Sequence, residues 1–243
     1  MNVLSMLFVA LAAMVVFAVL VVGWLFHVSR PYRTTDWGAP WLNRLDGLNR
    51  WFCVVYHRLN FTTIALPETG AGIVAANHHS GLDPLLLAAA SPRPLRFLIA
   101  REQYERFGLR WLFRAAGCIP VDRETRPERA LREALRILAR GEVVAMFPHG
   151  KIHLDTDPPI KLKSGVIRLS HLSGCAIHPV RLQGIAGQGK VVSAVLLRGY
   201  PHLRVATTLQ CDKANGRLCL EQLTAILEGR DLDPPAQELS RAG

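Results

Sequence analysis

The chain has 243 residues, half of them hydrophobic, and 29 basic against 19 acidic side chains leave a formal net charge of +10. That size suits one domain with a full core, with apolar sequence to spare for a membrane. Aromatics are only 7% and no stretch resembles an RNA- or DNA-binding module, so the positive balance points to anionic lipid or an acidic carrier, not nucleic acid.

Arginine supplies 24 of the 29 basic residues, and its planar fork matches phosphate. The five cysteines (Cys53, Cys118, Cys175, Cys211 and Cys219) are scattered, with no Cys-x-x-Cys pair. This predicts free thiols in a reducing compartment, and neither a disulfide framework nor a zinc ribbon.

Met6 to Phe26 is an unbroken apolar run, long enough as a helix to cross a hydrocarbon core of roughly 30 Å. No Lys or Arg precedes it, and it is longer than a signal-peptide core. It therefore reads as an uncleaved anchor occupying residues 1–27. Arg30, Arg33, Arg44 and Arg50 all follow it, which by the positive-inside rule puts the remaining chain on the cytoplasmic side of a single-pass membrane protein. Residues 28–60 read as an amphipathic linker helix. Trp41, Leu45, Leu48, Phe52, Val55 and Leu59 recur at 4-3-4-3-4 spacing on one face, with Arg44, Asp46, Arg50 and Arg58 on others. That stripe fits a membrane interface, with arginines on lipid phosphates, and equally fits core packing.

From Phe61 short apolar runs alternate with helical patterns. Strands are predicted at 72–77, 95–100, 117–121, 142–147, 176–182, 190–198 and 203–209, and helices at 82–90, 103–115, 125–140, 164–173 and 216–228. In the clearest helix Thr125 caps the start, Pro127 suits the first turn, Glu128 completes a capping box, and Leu131, Ala134, Leu135 and Leu138 form the buried face. The alternation predicts an α/β domain over residues 61–230, a central mixed sheet flanked by helices, preceded by one N-terminal transmembrane helix and followed by a loose tail at 231–243.

The chemistry concentrates in Asn77-His78-His79-Ser80-Gly81-Leu82-Asp83, just after a predicted buried strand. Loops at the C-terminal ends of such strands hold active sites in α/β folds. A histidine there can act as a general base near neutral pH, and a carboxylate on its other ring nitrogen fixes tautomer and orientation. By spacing alone either His78 or His79 can meet Asp83. His149 and His153 lie downstream, but no recurring metal-ligand spacing joins them to this loop. No Gly-x-Ser-x-Gly elbow surrounds Ser80.

Four ordered blocks carry a resemblance. The stretch 77–83 resembles the Asn-His-x4-Asp signature of glycerolipid acyltransferases of the lysophosphatidic acid acyltransferase type. Residues 117–123 resemble that family's Gly-x-Ile-x-x-x-Arg block, and 147–153 its Phe-Pro-Glu-Gly-Thr-Arg block. Residues 160–166 and 176–180 resemble its Lys-x-Gly and Pro-containing stretches.

The resemblance implies that His78 deprotonates an acceptor hydroxyl, that Asp83 orients it, and that the acyl group comes from acyl-CoA or acyl carrier protein. It implies no metal, no cofactor and no acyl-enzyme. Arg123 matches the arginine expected to hold the acceptor phosphate. His149, Gly150, Lys151 and Lys163 fall on the expected substrate side, with Lys163 or backbone N–H groups as oxyanion donors. The third block departs from the family: His149 stands in place of glutamate, Lys151 of threonine and Ile152 of arginine. An imidazole accepts hydroxyl hydrogen bonds less well than a carboxylate, and a lysine replaces a phosphate fork only as a point charge. The first expectation is a membrane-anchored acyltransferase that uses lysophosphatidic acid and makes phosphatidic acid, with a different lysolipid or lipid-linked acceptor as the alternative. A non-catalytic lipid-binding relative is the reading from outside enzymology.

Overall fold

The computed structural model of the chain describes residues 3–122 and 127–230. Arg123, Thr125 and the tail at 231–243 lie outside the described residues, and with them the expected phosphate contact and helix cap. The chain opens on helix α1 (Val3–Val28). At about 1.5 Å per residue α1 is about 39 Å long, enough to cross a bilayer with some tilt. Its side chains from Ser5 to Trp24 are exposed, and Ser5–Val28 has a mean hydropathy of 2.9.

After a short turn comes α2 (Pro40–Trp51), which continues as a wider π-type segment over Phe52–Tyr56. The helix is present, but its buried face is not the apolar stripe. Leu42, Asp46, Gly47, Arg50 and Cys53 are buried, whereas Trp41 and Val55 are exposed and Leu45, Leu48 and Phe52 half-buried. Arg50 explains the inversion. It pairs with Asp46 at 2.7 Å and donates to Thr35 and to the carbonyls of Ala88, Ala89 and Ser91. Those carbonyls lie at the C-terminal end of helix α3 (Asp83–Ala90), where the helix itself no longer supplies a full set of donors. Arg50 thus caps a helix from within the fold; of the two readings the sequence left open for this stretch, lipid phosphate and core packing, its burial fits the second. A buried guanidinium is tolerated because its donors are matched.

Strands β1 (Asn60–Phe61), β2 (Gly72–Ala76), β3 (Leu95–Ala100), β4 (Ile119–Val121), β5 (Val143–Met146), β6 (Ile177–Gln183) and β7 (His202–Val205) form a seven-stranded sheet in the order β1-β7-β6-β2-β5-β3-β4. The pairings β6-β2, β2-β5, β5-β3 and β3-β4 are parallel, while β6-β7 is antiparallel. The sheet is mixed, as predicted. Alternation along β2 divides the core. Val74 and Ala76 pack with α3 on one face. Ile73 and Ala75 pack with α6 (Pro127–Ala139), α7 (Gly165–Ser173) and α9 (Gly216–Glu228) on the other. Every residue of β2 is buried, which is why this strand reads as one continuous apolar run.

Four expectations are corrected. The predicted helix over 103–115 is two short helices, α4 (Arg101–Tyr104) and α5 (Arg110–Ala115), divided by a turn in which Gly108 takes φ +79°. The predicted strand over 190–198 is a loop carrying one helical turn, α8 (Ser193–Leu196): its valines and leucines have no strand to pair with. The strand expected at 203–209 shortens to β7, with Leu209 returning as a lone bridge to Ile177. Cys211 and Cys219 form a disulfide. The sequence signal was missed because the loop before α9 folds back on the helix's first turn, bringing cysteines eight apart to a Cα–Cα distance of 6.0 Å.

Candidate active site

The parallel strands β2, β5, β3 and β4 end on one edge, so the loops that follow them share that edge. The loop after β2 carries His78 and the loop after β5 carries His149. The two are tied directly: the His153 N–H donates to the His78 carbonyl at 2.8 Å. Asn77 fixes the start of the first loop. Its amide donates to the Leu182 carbonyl at 2.8 Å and accepts from the Leu182 N–H at 2.7 Å, stitching β2 to β6.

His78 Nδ1 lies 2.8 Å from Asp83 Oδ2. Asp83 is fully buried at the N-terminus of α3, where the helix dipole favours a carboxylate. The same Oδ2 accepts the backbone N–H groups of His79 at 2.6 Å and Ser80 at 2.9 Å, and Oδ1 accepts the Ser80 hydroxyl at 2.9 Å. The aspartate therefore folds the loop as well as holding the imidazole. The His78 ring stacks on Phe147 with centroids 4.1 Å apart and planes 16° from parallel. With Nδ1 on the carboxylate and one face on Phe147, Nε2 is the ring atom chemically able to exchange a proton. The His78 side chain keeps 20% exposure while Asp83 keeps none.

His79 has the other fate. It is buried, with Nε2 between the Asn77 amide at 3.1 Å and Asp155 at 3.2 Å. Asp155 in turn accepts Arg181 at 2.7 Å, and Arg181 also reaches the Leu227 carbonyl near the end of α9. This chain of bonds is a brace beneath the loop. Gly81 belongs to the same construction: a Cβ there would lie 2.1 Å from the Val191 carbonyl oxygen, so the crossing loop demands glycine.

In the second loop Gly150 takes φ +75°, and a Cβ on it would meet Lys163 at under 3 Å. The Lys163 side chain thus lies across Gly150, while its N–H donates to the Pro148 carbonyl at 3.0 Å. Lys151 and Lys163 are both exposed. His149 is not. It is buried, stacks on His153 at 5.0 Å, and neither ring nitrogen has a partner among the described residues. Burial, then the neighbouring His153, push its pKa down to about 4, so the ring is neutral at physiological pH.

The structure brings together His78, Asp83, His149, Gly150 and Lys163 on one edge, and leaves Arg123 outside the described residues. Reasoning from sequence did not single out Phe147, Asn77, Asp155 or Arg181. Phe147 and Asn77 sit inside the recognised blocks, directly after β5 and β2, and that position was their signal. Asp155 and Arg181 left none, because they meet only through tertiary structure.

A partly exposed histidine bonded to a buried aspartate at the C-terminal edge of a mixed α/β sheet, beside a Gly-Lys loop, is an arrangement suited to base-assisted transfer. The comparisons agree. A family model described as Acyltransferase matches residues 58–183, and the chain belongs to that family. The chain is 23% identical over 131 residues to the 1-acyl-sn-glycerol-3-phosphate acyltransferase of Bacillus subtilis (strain 168), covering 54% of this chain and 62% of that protein. It is 29% identical over 127 residues to a probable 1-acyl-sn-glycerol-3-phosphate acyltransferase of Mycoplasma pneumoniae, covering 48% and 46%. The chain thus spans about half the length of the curated relatives it matches. The crystal structure of the 1-acyl-sn-glycerophosphate (LPA) acyltransferase PlsC from Thermotoga maritima superposes with a TM-score of 0.58 at 16% identity, covering 86% of this chain and 88% of that one. That likeness bears on the fold.

Proposed function

We propose that the chain is a membrane-anchored O-acyltransferase that moves a fatty acyl group from an acyl thioester, on acyl-CoA or acyl carrier protein, to the hydroxyl of a lysophospholipid. The acceptor proposed first is 1-acylglycerol-3-phosphate, which would give phosphatidic acid. The observation that carries this is the His78–Asp83 bond at 2.8 Å on a partly open histidine. His78 Nε2 takes the hydroxyl proton as the oxygen attacks the thioester carbonyl carbon. The tetrahedral adduct then collapses, the C–S bond breaks, and the imidazolium returns the proton to the leaving thiolate. Asp83 holds the ring and stabilises its charged form. Lys163, lying over Gly150, is the side chain available to the oxyanion, and Arg123 is assigned the acceptor phosphate.

A second acceptor is favoured by one observation. His149, in the place of a carboxylate, is neutral and buried, so the third block supplies no negative group for acceptor hydroxyls. The chemistry is then unchanged and the lysolipid or lipid-linked acceptor differs. Purified full chain incubated with radiolabelled acyl-CoA or acyl carrier protein and a panel of lysolipids separates these readings by product. No transfer to any acceptor would overturn both in favour of a lipid-binding relative.

The arginines that follow α1 support a cytoplasmic domain. The Cys211–Cys219 bond is more at home in an oxidising compartment. Protease protection of the domain in sealed vesicles of known orientation decides the side.

A further inference from the structure

Beside the His78–Asp83 pair lie two charged side chains that the transfer step does not use. Arg181, in β6, bonds Asp155 at 2.7 Å, with 3% exposure of its side chain against 50% for Asp155. Burying a guanidinium is costly, and apolar packing of similar volume often serves stability as well. Stability alone therefore gives little reason for an arginine at this position.

The reactive loop is already held by its backbone. The His153 N–H donates to the His78 carbonyl at 2.8 Å, the Gly189 N–H to the His79 carbonyl at 2.9 Å, and the Gly81 N–H to the Lys190 carbonyl at 3.0 Å. The His79 ring is fixed separately, with Nε2 at 3.1 Å from the Asn77 amide nitrogen and 3.2 Å from Asp155 Oδ1. A carboxylate can only accept, so the contact with Asp155 puts a proton on Nε2. In the neutral ring Nδ1 is then the bare nitrogen, and it is buried with no partner among the described residues. Arg181 aims Asp155 at this ring. One of its terminal nitrogens takes Oδ2, and the other is fixed on the Leu227 carbonyl near the end of α9.

What the ring holds in place is its own backbone. The His79 N–H donates to Asp83 Oδ2 at 2.6 Å, and His78 Nδ1 lies 2.8 Å from that same oxygen. One carboxylate oxygen thus serves the backbone of His79 and the ring of the base. A tilt of His79 changes what Asp83 offers to His78. We propose, on the reading of His78 as the base, that Asp155 and Arg181 are positioning residues for acyl transfer. They act through the His79 ring on the N–H that shares Asp83 with His78, and neither needs to touch substrate. The bonds run from Arg181 to Asp155, His79, Asp83 and His78 in turn.

The test is Asp155→Asn in the full chain. The amide keeps the size of the side chain but presents one oxygen where the carboxylate presents two, so it cannot accept from both Arg181 and His79. The half-exposed position leaves the core intact. Nitrogen NMR of the detergent-solubilised chain with isotope-labelled histidine should show His79 protonated on Nε2. In Asp155→Asn that proton should move to Nδ1 or divide between the two nitrogens, and the His78 ring resonance should shift. This readout needs no turnover, so a wild-type chain without transfer activity would sink the proposed function and leave this measurement standing. With radiolabelled acyl donor, kcat should fall about fivefold while the acceptor KM stays within about twofold. Arg181→Met and His79→Ala should each repeat that loss and add little to it in combination with Asp155→Asn, since all three act through one ring. Asp157 accepts the Leu154 N–H at 2.8 Å in the same loop and does not bond the His79 ring among the described residues. Asp157→Asn should therefore lower the melting temperature with kcat within about twofold. An unmoved His78 resonance in Asp155→Asn, additive losses, or an equal fall in kcat for Asp157→Asn overturns the proposal.

Discussion

The loops after β2 and β5 each carry a pair of histidines, and the structure treats them in opposite ways. In the first loop His78 has a carboxylate on Nδ1, a phenyl ring on one face and an open Nε2. In the second, His149 has burial and another imidazole but no hydrogen bond at all among the described residues. The comparison teaches that a histidine becomes a base through its partner and its exposure. The two residues are one strand apart on the same edge. What separates them is Asp83, fixed at a helix N-terminus where four donors converge on it.

The sharpest way to break the comparison is His78→Ala, which should lower turnover by about 10²–10⁴-fold with an unchanged melting temperature, measured with radiolabelled acyl donor. His79→Ala should leave turnover within about tenfold while lowering the melting temperature, since that ring is buried and bonded within the brace under the loop. If His79→Ala is the dead variant, the base is misassigned. Asp83→Ala strips a buried acceptor from four donors. It should destabilise the fold by about 3–5 kcal/mol, read by chemical denaturation, and abolish transfer in whatever still folds.

Arg50→Ala is the control far from the chemistry. It should cost about as much stability as Asp83→Ala, by uncapping α3 and stranding the buried Asp46, without the same loss of rate in folded protein.

The smallest effect lies in the second loop and is a matter of pH. The His149 pKa is pushed down to about 4 in the folded chain, against an ordinary value near 6.5 when unfolded. The unfolded state therefore binds the proton first as pH falls. Its contribution favours the fold above pH 6.5 and is lost progressively between about 6.5 and 4. His149→Phe should flatten the acid limb of the stability curve in that window, as followed by melts across pH. His149→Glu combined with Ile152→Arg should shift acceptor preference toward phosphate-bearing lysolipids, measured as a ratio of products. An unchanged ratio means these positions do not select the acceptor.

Much of this was legible in the residues. Continuous apolar runs marked the central strands because parallel strands covered on both faces show no alternation. The α6 pattern held because its 3.6-residue periodicity matches one buried face. The 190–198 segment forms no strand, and the apolar stripe of α2 is only partly covered, for one shared reason. An apolar residue records a tendency to leave water and says nothing about which surface will cover it. In α2 the buried face includes Asp46 and Arg50 beside Leu42, Gly47 and Cys53, because Arg50 has a helix end to cap, and the apolar stripe is left half-buried at Leu45, Leu48 and Phe52 and exposed at Trp41 and Val55.

The sequence by itself determined the span-length apolar helix, the α/β class, the position of the reactive loop after β2 and, through four ordered blocks, the family. Those features are local periodicities or contiguous motifs, and they need no partner to be read. Only the tertiary structure decided that Asp83 bonds His78 and not the ring of His79, that Phe147 floors the His78 imidazole, and that Asp155, 76 residues beyond His79, bonds the His79 ring and is itself held by Arg181. Each of these depends on how separate strands and loops are brought to one sheet edge. A hydrogen bond requires approach to within about 3 Å, and residue order along the chain does not encode that distance.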